Sequence, residues 1–158
     1  MNVLEENQGR LDGLALLQSL IDTQRRPPIG DTLDFNLVEI EAGRAVFRGV
    51  PGRHAYNPLG TIHGGYAATL LDSACGCAVH STLAANQGYT TLELKVSYHK
   101  AMTAETGPVT AEARVITVGK RVAFTEGKLV DASGQVYASA TSTLLVFDLP
   151  PSSDKPVP

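Results

Sequence analysis

The sequence predicts an α+β fold in which a strongly curved antiparallel sheet wraps around one long helix. An apolar segment opens at His63-Gly64-Gly65 and continues to about Ala85 without a clear polar face, so it is expected in an interior. β-like runs precede and follow it, and no repeated strand-helix-strand order indicates a parallel sheet. The chain has 158 residues, 43% of them hydrophobic, which indicates one core.

Residues 1–30 are predicted to form an N-terminal helix and a linker. Apolar residues recur near helical spacing between Gln8 and Thr23, and the Arg25–Pro28 breaker follows them. Met1–Asn7 carries two Glu and no basic residue, which is unlike the start of a secretory signal. Export is therefore not expected.

Residues 31–148 are predicted to form the main domain. The runs Leu33–Glu41 and Arg44–Val50 flank Ala42-Gly43, which indicates a hairpin. After a predicted helix stop at Asn86-Gln87-Gly88, the alternation of Leu92, Leu94, Val96 and Tyr98 with polar residues predicts a half-buried strand over Thr90–Ala101. Three further runs complete a predicted antiparallel meander: Gly107–Val118, Arg121–Asp131 and Gln135–Phe147. Residues 149–158 are predicted to be a disordered tail, because Pro, Ser and charge dominate them.

The charge and the polar residues exclude several classes of function. A net charge of -3 leaves no basic surplus for a phosphate backbone, so nucleic acid is not an expected partner. The apolar segment is interrupted by polar residues such as Asp72 and His80, which are costly inside a bilayer, so no membrane association is expected. The cysteines, Cys75 and Cys77, fit packing groups in a reducing cytoplasm. The histidines show no metal-ligand spacing, so neither a metal nor another cofactor is predicted.

A narrow polar stripe follows the predicted central helix, and Asp72 lies within it. Carboxylates are rarely buried without a partner, so an Asp two turns into a buried helix needs an explanation. One explanation is structural: the stripe reaches solvent or a subunit interface, and Asp72 only forms a hydrogen bond. The other is that Asp72 takes part in chemistry.

The start of the same helix favours chemistry. The amides of His63, Gly64 and Gly65 are expected to point outward without partners, at the positive end of the helix dipole. Two adjacent glycines let a ligand approach the backbone closely, as an amide that polarises a carbonyl oxygen requires. A thioester carbonyl would suit such a site.

The segment Asn57–Gly65, Asn-Pro-Leu-Gly-Thr-Ile-His-Gly-Gly, followed by Asp72, resembles the signature of PaaI-like hotdog-fold acyl-CoA thioesterases. The resemblance extends through Thr90–Tyr98 and the later turns, so it spans about Leu33 to Phe147. It implies a hotdog fold, a cytoplasmic thioester hydrolase, and a homodimer with shared active sites, commonly paired into a homotetramer. Coenzyme A would then enter only as part of the substrate.

The resemblance also implies roles for individual residues. Asn57 and the Gly64 amide would hold the thioester oxygen, while Asp72 would activate water or attack the carbonyl directly, with water activation the preferred route. Thr91 would help to hold the attacking water. The alternative is that Thr91 is an ordinary β-branched strand residue with no role in the reaction. His63 would brace the Asn57 loop, although imidazole chemistry near neutral pH keeps a general-base role open.

Five further residues are predicted to bind the substrate. Gly65 allows close approach, and Tyr66 is expected to narrow the acyl tunnel and exclude long chains. Lys100, Lys120 and Arg121 are candidates for binding the nucleotide phosphates of CoA. The alternative is that they are solvated charges at turns that contribute little.

Two other functions remain open at the level of sequence. A hotdog dehydratase acting on hydroxyacyl thioesters would use His63 and Asp72 as base and acid, but the motif typical of dehydratases is absent. A non-catalytic acyl-CoA-binding module is the third reading, and the retained Asp72 disfavours it. The residues do not distinguish aromatic acyl groups, such as phenylacetyl or hydroxybenzoyl, from short or medium aliphatic ones.

Overall fold

The computed structural model describes residues 2–150. Most of the tail predicted at residues 149–158 lies outside that range. The helices are α1 (Val3–Asn7), α2 (Gly13–Asp22), α3 (Pro28–Leu33) and α4 (Gly64–His80), and the strands are β1 (Phe35–Glu41), β2 (Arg44–Gly49), β3 (Gln87–Tyr98), β4 (Val109–Val118), β5 (Val122–Asp131) and β6 (Val136–Asp148). Short 3-10 turns lie at Arg53–Ala55 and Ala104–Thr106.

The six strands form one antiparallel sheet in the order β1-β2-β4-β5-β6-β3. The hairpin of β1 and β2 and the meander of β4, β5 and β6 are as predicted. The placement of β3 differs from the predicted meander, because β3 pairs with β6 along its length and not with β4. Strand β2 occupies the place beside β4, with Arg44 opposite Arg114. Strand β3 therefore forms one edge of the sheet.

Helix α4 packs against all six strands, which confirms the prediction of a central helix wrapped by a curved sheet. Its side chains are buried on most sides, as its continuous apolar sequence requires. The helix ends at His80, five residues earlier than predicted, because the Ser81 and Thr82 hydroxyls donate to the carbonyls of Ala78 and Val79. Among the described residues no helix is long and apolar enough to cross a membrane.

The N-terminal region contains the three short helices α1, α2 and α3, whereas a single helix was predicted. Helix α2 begins at Gly13 and not at Gln8, because the Asp12 carboxylate accepts a hydrogen bond from the Ala15 amide and caps the helix. The Arg25–Pro28 breaker ends α2 as expected, but Pro28 then opens the short helix α3, where a proline at the first position is tolerated. Helix α2 packs on β1 and α4.

A β-bulge interrupts the register of β3 between Thr91 and Glu93. Strict alternation would place Thr91 on the face opposite Leu94 and Tyr98. The extra residue at the bulge, Leu92, changes the phase of the strand, so Thr91 and Tyr98 both contact α4. The predicted helix stop at Gln87-Gly88 is wrong, because both residues belong to this strand.

Candidate functional site

Among the residues that the structure describes, one backbone amide in the first turn of α4 has no protein partner. The Gly65 amide donates to Nδ1 of His63 over 2.8 Å, and the His63 amide donates to the Ala55 carbonyl over 2.7 Å. Within residues 2–150 the Gly64 amide has no acceptor. Three free amides were expected here, but among the described residues only that of Gly64 is free. It lies at the start of the helix, at the positive end of the helix dipole.

His63 caps the helix with its side chain. Because Nδ1 accepts the Gly65 hydrogen bond, that nitrogen is occupied and unprotonated in this arrangement. The imidazole does not brace the Asn57 loop as expected, since its hydrogen bond stays within its own helix. The loop is instead held by the main chain, through the His63 amide and an antiparallel bridge between Tyr56 and Ile62.

Asn57 lies in this tight loop just before the helix. Its Oδ1 accepts hydrogen bonds from the amides of Leu59 and Thr61, and its Nδ2 donates to the Thr61 hydroxyl over 3.0 Å. These contacts fix the carboxamide orientation, with oxygen towards the loop. A carboxamide carries two N–H donors, so one remains for a ligand.

Asp72 is paired with Thr91. The Thr91 hydroxyl donates to Oδ1 of Asp72 over 3.0 Å, and the Asp72 side chain is half-buried. Among the described residues no other side chain donates to this carboxylate, which leaves Oδ2 to accept a proton from water. The bulge in β3 makes the pair possible because it turns Thr91 towards the helix.

The two thiols on α4 are poor nucleophiles. Burial raises the pKa of Cys75 to about 11 and that of Cys77 to about 12, and the negative charge of Asp72 adds to both shifts. Both thiols therefore remain protonated near neutral pH. On this part of the helix, the Asp72 carboxylate is the group able to act as base or nucleophile.

Gly64 and Asp72 lie too far apart to act on the same atom. They are eight residues apart on one helix, which corresponds to about 12 Å along its axis. A general base must lie within hydrogen-bond reach of the proton it takes, or one water away. One chain thus presents two half-sites, the Gly64 amide with Asn57 and the Asp72–Thr91 pair.

A groove of about 330 Å³ opens beside the Gly64 half-site. Ile62, Ala67 and Met102 contribute apolar surface, and Tyr98 forms part of the wall. The Tyr98 hydroxyl donates to the Gly64 carbonyl over 2.9 Å. The sequence assigned Tyr98 only to the apolar side of a strand, and no sequence motif indicates its contact with the helix start.

The five predicted substrate-binding residues do not lie together. Gly65 belongs to the first helical turn, and Lys100 lines the Gly64 groove with its Nζ 5.5 Å from the Tyr137 ring centroid. Tyr66 is in the core at 3% exposure, so in the single chain it lines no tunnel. Its ring packs in the main hydrophobic cluster, with the hydroxyl beside Gly49 of β2.

Lys120 and Arg121 lie at the β4–β5 turn and are exposed. The register from Ala123 to Leu144 and from Leu144 to Thr91 puts this turn at the Asp72 end of the sheet. Within one chain these two cations are therefore remote from the Gly64 groove. In residues 2–150 no group of three or more His, Cys, Asp or Glu side chains is arranged to hold a metal ion.

Replacing Thr91 with Val tests the Asp72–Thr91 pair. If the Asp72 carboxylate acts as the base, we expect kcat to fall roughly tenfold, which corresponds to the roughly 1.5 kcal/mol contributed by a hydrogen bond to a charged group. The matched control is Thr90→Val, because Thr90 is the exposed neighbour on the same strand. Steady-state kinetics of both variants give the comparison, and equal rates for the two would remove Thr91 from the site.

Comparison with known proteins places the chain in a family. A family model described as the thioesterase superfamily matches residues 59–138. A Saccharolobus solfataricus protein named as an esterase is 31% identical over 116 residues, which cover 73% of this chain and 80% of that protein. The 1,4-dihydroxy-2-naphthoyl-CoA hydrolase of Listeria monocytogenes is 25% identical, covering 73% and 93%. A second S. solfataricus protein named as an esterase is 34% identical over 56% of this chain, and the match spans only 57% of that protein.

Two solved structures have folds similar to that of this chain. The Escherichia coli PaaI protein of the phenylacetic acid degradation operon superposes with a TM-score of 0.72 at 18% identity, covering 82% of this chain and 91% of PaaI, which shows a common fold. A Streptococcus mutans protein solved with bound acetyl CoA has a TM-score of 0.66 at 25% identity, covering 73% and 90%. The predicted hotdog fold and the predicted thioester-hydrolase family are thereby confirmed. The chain belongs to the thioesterase superfamily.

Proposed function

We propose that the protein is a cytoplasmic acyl-CoA thioesterase that hydrolyses an acyl-CoA to the free acid and CoA. The observation that carries the proposal is the pair of half-sites on α4: a partner-free Gly64 amide at the helix start, and the Asp72 carboxylate oriented by Thr91. The Listeria relative named as a CoA thioester hydrolase and the S. mutans structure with acetyl CoA support a CoA substrate.

The chemistry follows from the two half-sites. The Gly64 N–H and one Asn57 N–H donate to the thioester oxygen, where negative charge develops in the transition state. Asp72 takes a proton from a water molecule as that water attacks the carbonyl carbon. The tetrahedral intermediate then expels the CoA thiolate as the C–S bond breaks, and the thiolate takes the proton from Asp72, which regenerates the carboxylate. In the proposed reaction water is the nucleophile and a carboxylate the base, and neither a metal nor a redox cofactor takes part.

A complete site on this scheme requires two protomers. The separation of about 12 Å between Gly64 and Asp72 prevents one helix from supplying both groups to one carbonyl. The partner's helix supplies the missing half. A twofold axis then gives two equivalent sites per dimer, each with Gly64 from one protomer and Asp72 from the other.

The edge strand β3 is suited to form this dimer. Its 12 residues include Leu92 at 59% and Tyr98 at 56% exposure, and its outer backbone groups are unpaired within the described chain. Antiparallel pairing of two copies about an axis near Leu94 and Lys95 would bring Thr91 of one strand beside Tyr98 of the other. That register sets each Asp72–Thr91 pair next to a Gly64 half-site. We propose that such dimers pair further into a homotetramer.

The proposed substrate is an aromatic acyl-CoA of phenylacetyl or hydroxybenzoyl type, or one with a short to medium aliphatic chain. The groove beside Gly64 has apolar walls from Ile62, Ala67 and Met102, and Lys100 adds a positive charge. Antiparallel pairing would also bring the partner's turn with Lys120 and Arg121 to the same end of the sheet. These cations are proposed to meet the phosphates of CoA.

Thiol release from a panel of aromatic and aliphatic acyl-CoAs tests the proposal. We expect release of free CoA, in equimolar amount with the free acid, from at least one class of substrate. Crotonyl-CoA serves as a parallel assay, because a dehydratase would hydrate it and its enoyl absorbance would fall. Hydration without thiol release would show that the protein is a lyase and not a thioesterase. Binding without either reaction would indicate a non-catalytic module.

A further inference from the structure

We propose that Tyr98 is a positioning residue for the Gly64 amide, and that its phenol holds the first turn of α4 in the orientation that meets the thioester oxygen. The inference rests on the proposed function, because it assigns a task within the same reaction. It concerns a residue at the end of β3 that lies outside the Asn57–Gly65 signature.

The contact between Tyr98 and Gly64 is close and involves both the ring and the hydroxyl. The hydroxyl donates to the Gly64 carbonyl over 2.9 Å across 34 residues of sequence. A Cβ placed on Gly64 would lie 3.0 to 3.1 Å from Cζ, Cε1 and Oη of Tyr98. The ring therefore rests against the glycine, and the absence of a side chain at Gly64 makes room for it.

This contact acts at the least constrained part of the helix. The amides of a first helical turn have no intrahelical acceptor, so helix hydrogen bonding holds them less firmly than later turns. The Gly65 amide is fixed by His63, whereas the Gly64 amide is left for the ligand. A hydrogen bond from β3 to the Gly64 carbonyl restrains the orientation of this residue from outside the helix. A misplacement of about 1 Å in a catalytic group can cost about a hundredfold in rate.

The exposure of Tyr98 also indicates a role at the site. The side chain is 56% exposed, so it does not serve mainly to fill the core. It lines the groove together with Ile62, Ala67 and Met102, directly beside the partner-free amide. In the proposed dimer the partner's Asp72–Thr91 pair approaches this end of β3, so the ring would stand between the two half-sites.

Kinetics of Tyr98→Phe in two backgrounds test the inference. In the otherwise wild-type chain we expect kcat to fall about tenfold, while KM stays within about twofold, because the change affects the transition state more than substrate binding. In the Gly64→Ala background the added methyl group already displaces the ring, so Tyr98→Phe should lower kcat by less than about twofold. The control is Thr23→Val, which removes an exposed hydroxyl that donates to the Ser19 carbonyl at the end of α2, away from the groove, and should leave kcat unchanged.

The outcomes separate this inference from the proposed function. The same loss of kcat in both backgrounds, a change in KM alone, or a Tyr98→Phe enzyme as fast as wild type would overturn the role of Tyr98 and leave the thioesterase intact. A wild-type protein that releases no thiol from any acyl-CoA would overturn both. Thermal melting of each variant identifies losses caused by unfolding, and Tyr98→Leu provides a second test, with a kcat loss at least as large as that of Tyr98→Phe.

Discussion

Asp72→Asn is expected to lower kcat for acyl-CoA hydrolysis by at least about a hundredfold, the usual contribution of a positioned base or nucleophile. The carboxamide has nearly the shape of the carboxylate and still accepts the Thr91 hydrogen bond through its oxygen, so the packing around the helix is preserved. It cannot take a proton from water. Rates of thiol release measured with the best substrate of the acyl-CoA panel provide the comparison.

The matched control is Asp22→Asn, which changes an exposed carboxylate at the end of α2 that is bonded only to Gln18 among the described residues. We expect this variant to retain the wild-type rate. If Asp72→Asn also retained it while melting normally, Asp72 would be a structural residue and another base would have to be sought.

A single turnover in ¹⁸O-labelled water distinguishes the two possible roles of Asp72. If Asp72 activates water, the labelled oxygen appears only in the acid product. If Asp72 attacks the carbonyl, an anhydride forms, and water opening it at the Asp72 carbon leaves the label in the enzyme. We expect the first result, which peptide mass spectrometry can verify.

Co-expression of two inactive variants restores activity if the sites are shared between protomers. The second variant is Gly64→Pro. Proline removes the amide hydrogen but fits the first position of a helix, and His63 before it has the extended conformation (φ -60°, ψ 136°) that a following proline requires. Loss of this one donor should lower kcat about a hundredfold or more. Gly64→Ala is its control, since it also adds a Cβ next to Tyr98 but keeps the N–H, and it should lose no more than the roughly tenfold expected from displacing the Tyr98 ring.

A heterodimer of Asp72→Asn and Gly64→Pro protomers contains one doubly impaired site and one site with both Asp72 and Gly64 intact. Random pairing makes about half of the dimers mixed, each with one active site of two, so about a quarter of the wild-type activity returns. For separate dimers, differently tagged copies purified by two affinity steps should give about half, and for tetramers made of two dimers they should give slightly more than a quarter. Activity no higher than that of the separate variants would place each site within a single protomer and contradict the shared-site arrangement.

The fold was largely predictable because its signals are local. The apolar sequence of α4 and the turn residues around β1, β2 and the β4–β6 meander each act within a few residues. The pairing of β3 with β6 was not predictable in this way, because it joins residues such as Gln87 and Asp148 that are distant in sequence. Nothing in the sequence of β3 itself indicates which strand it pairs with.

The candidate site was predictable in its residues but not in its geometry. Asp72, Gly64 and Asn57 stand out as polar groups and glycines at the start and along a buried helix. The contact of Thr91 with Asp72 depends on a bulge, and simple alternation assigns Thr91 to the wrong face. The Gly64 amide differs from the amides on either side of it, which are bonded: the Gly65 amide donates to the His63 imidazole, and the His63 amide donates to the Ala55 carbonyl. Only the three-dimensional contacts reveal this difference.

The sheet order has a consequence for synthesis on the ribosome. Strand β3 carries Thr91, and it pairs with β6, the last strand to be made among those of residues 2–150. Strands β1, β2, β4 and β5 can pair as they emerge, but the sheet remains without the β6–β3 half that covers the Asp72 face of α4. The β6–β3 half of the sheet therefore closes over the Asp72 face of α4 only after β6 has left the exit tunnel, and until then the apolar helix has one uncovered side.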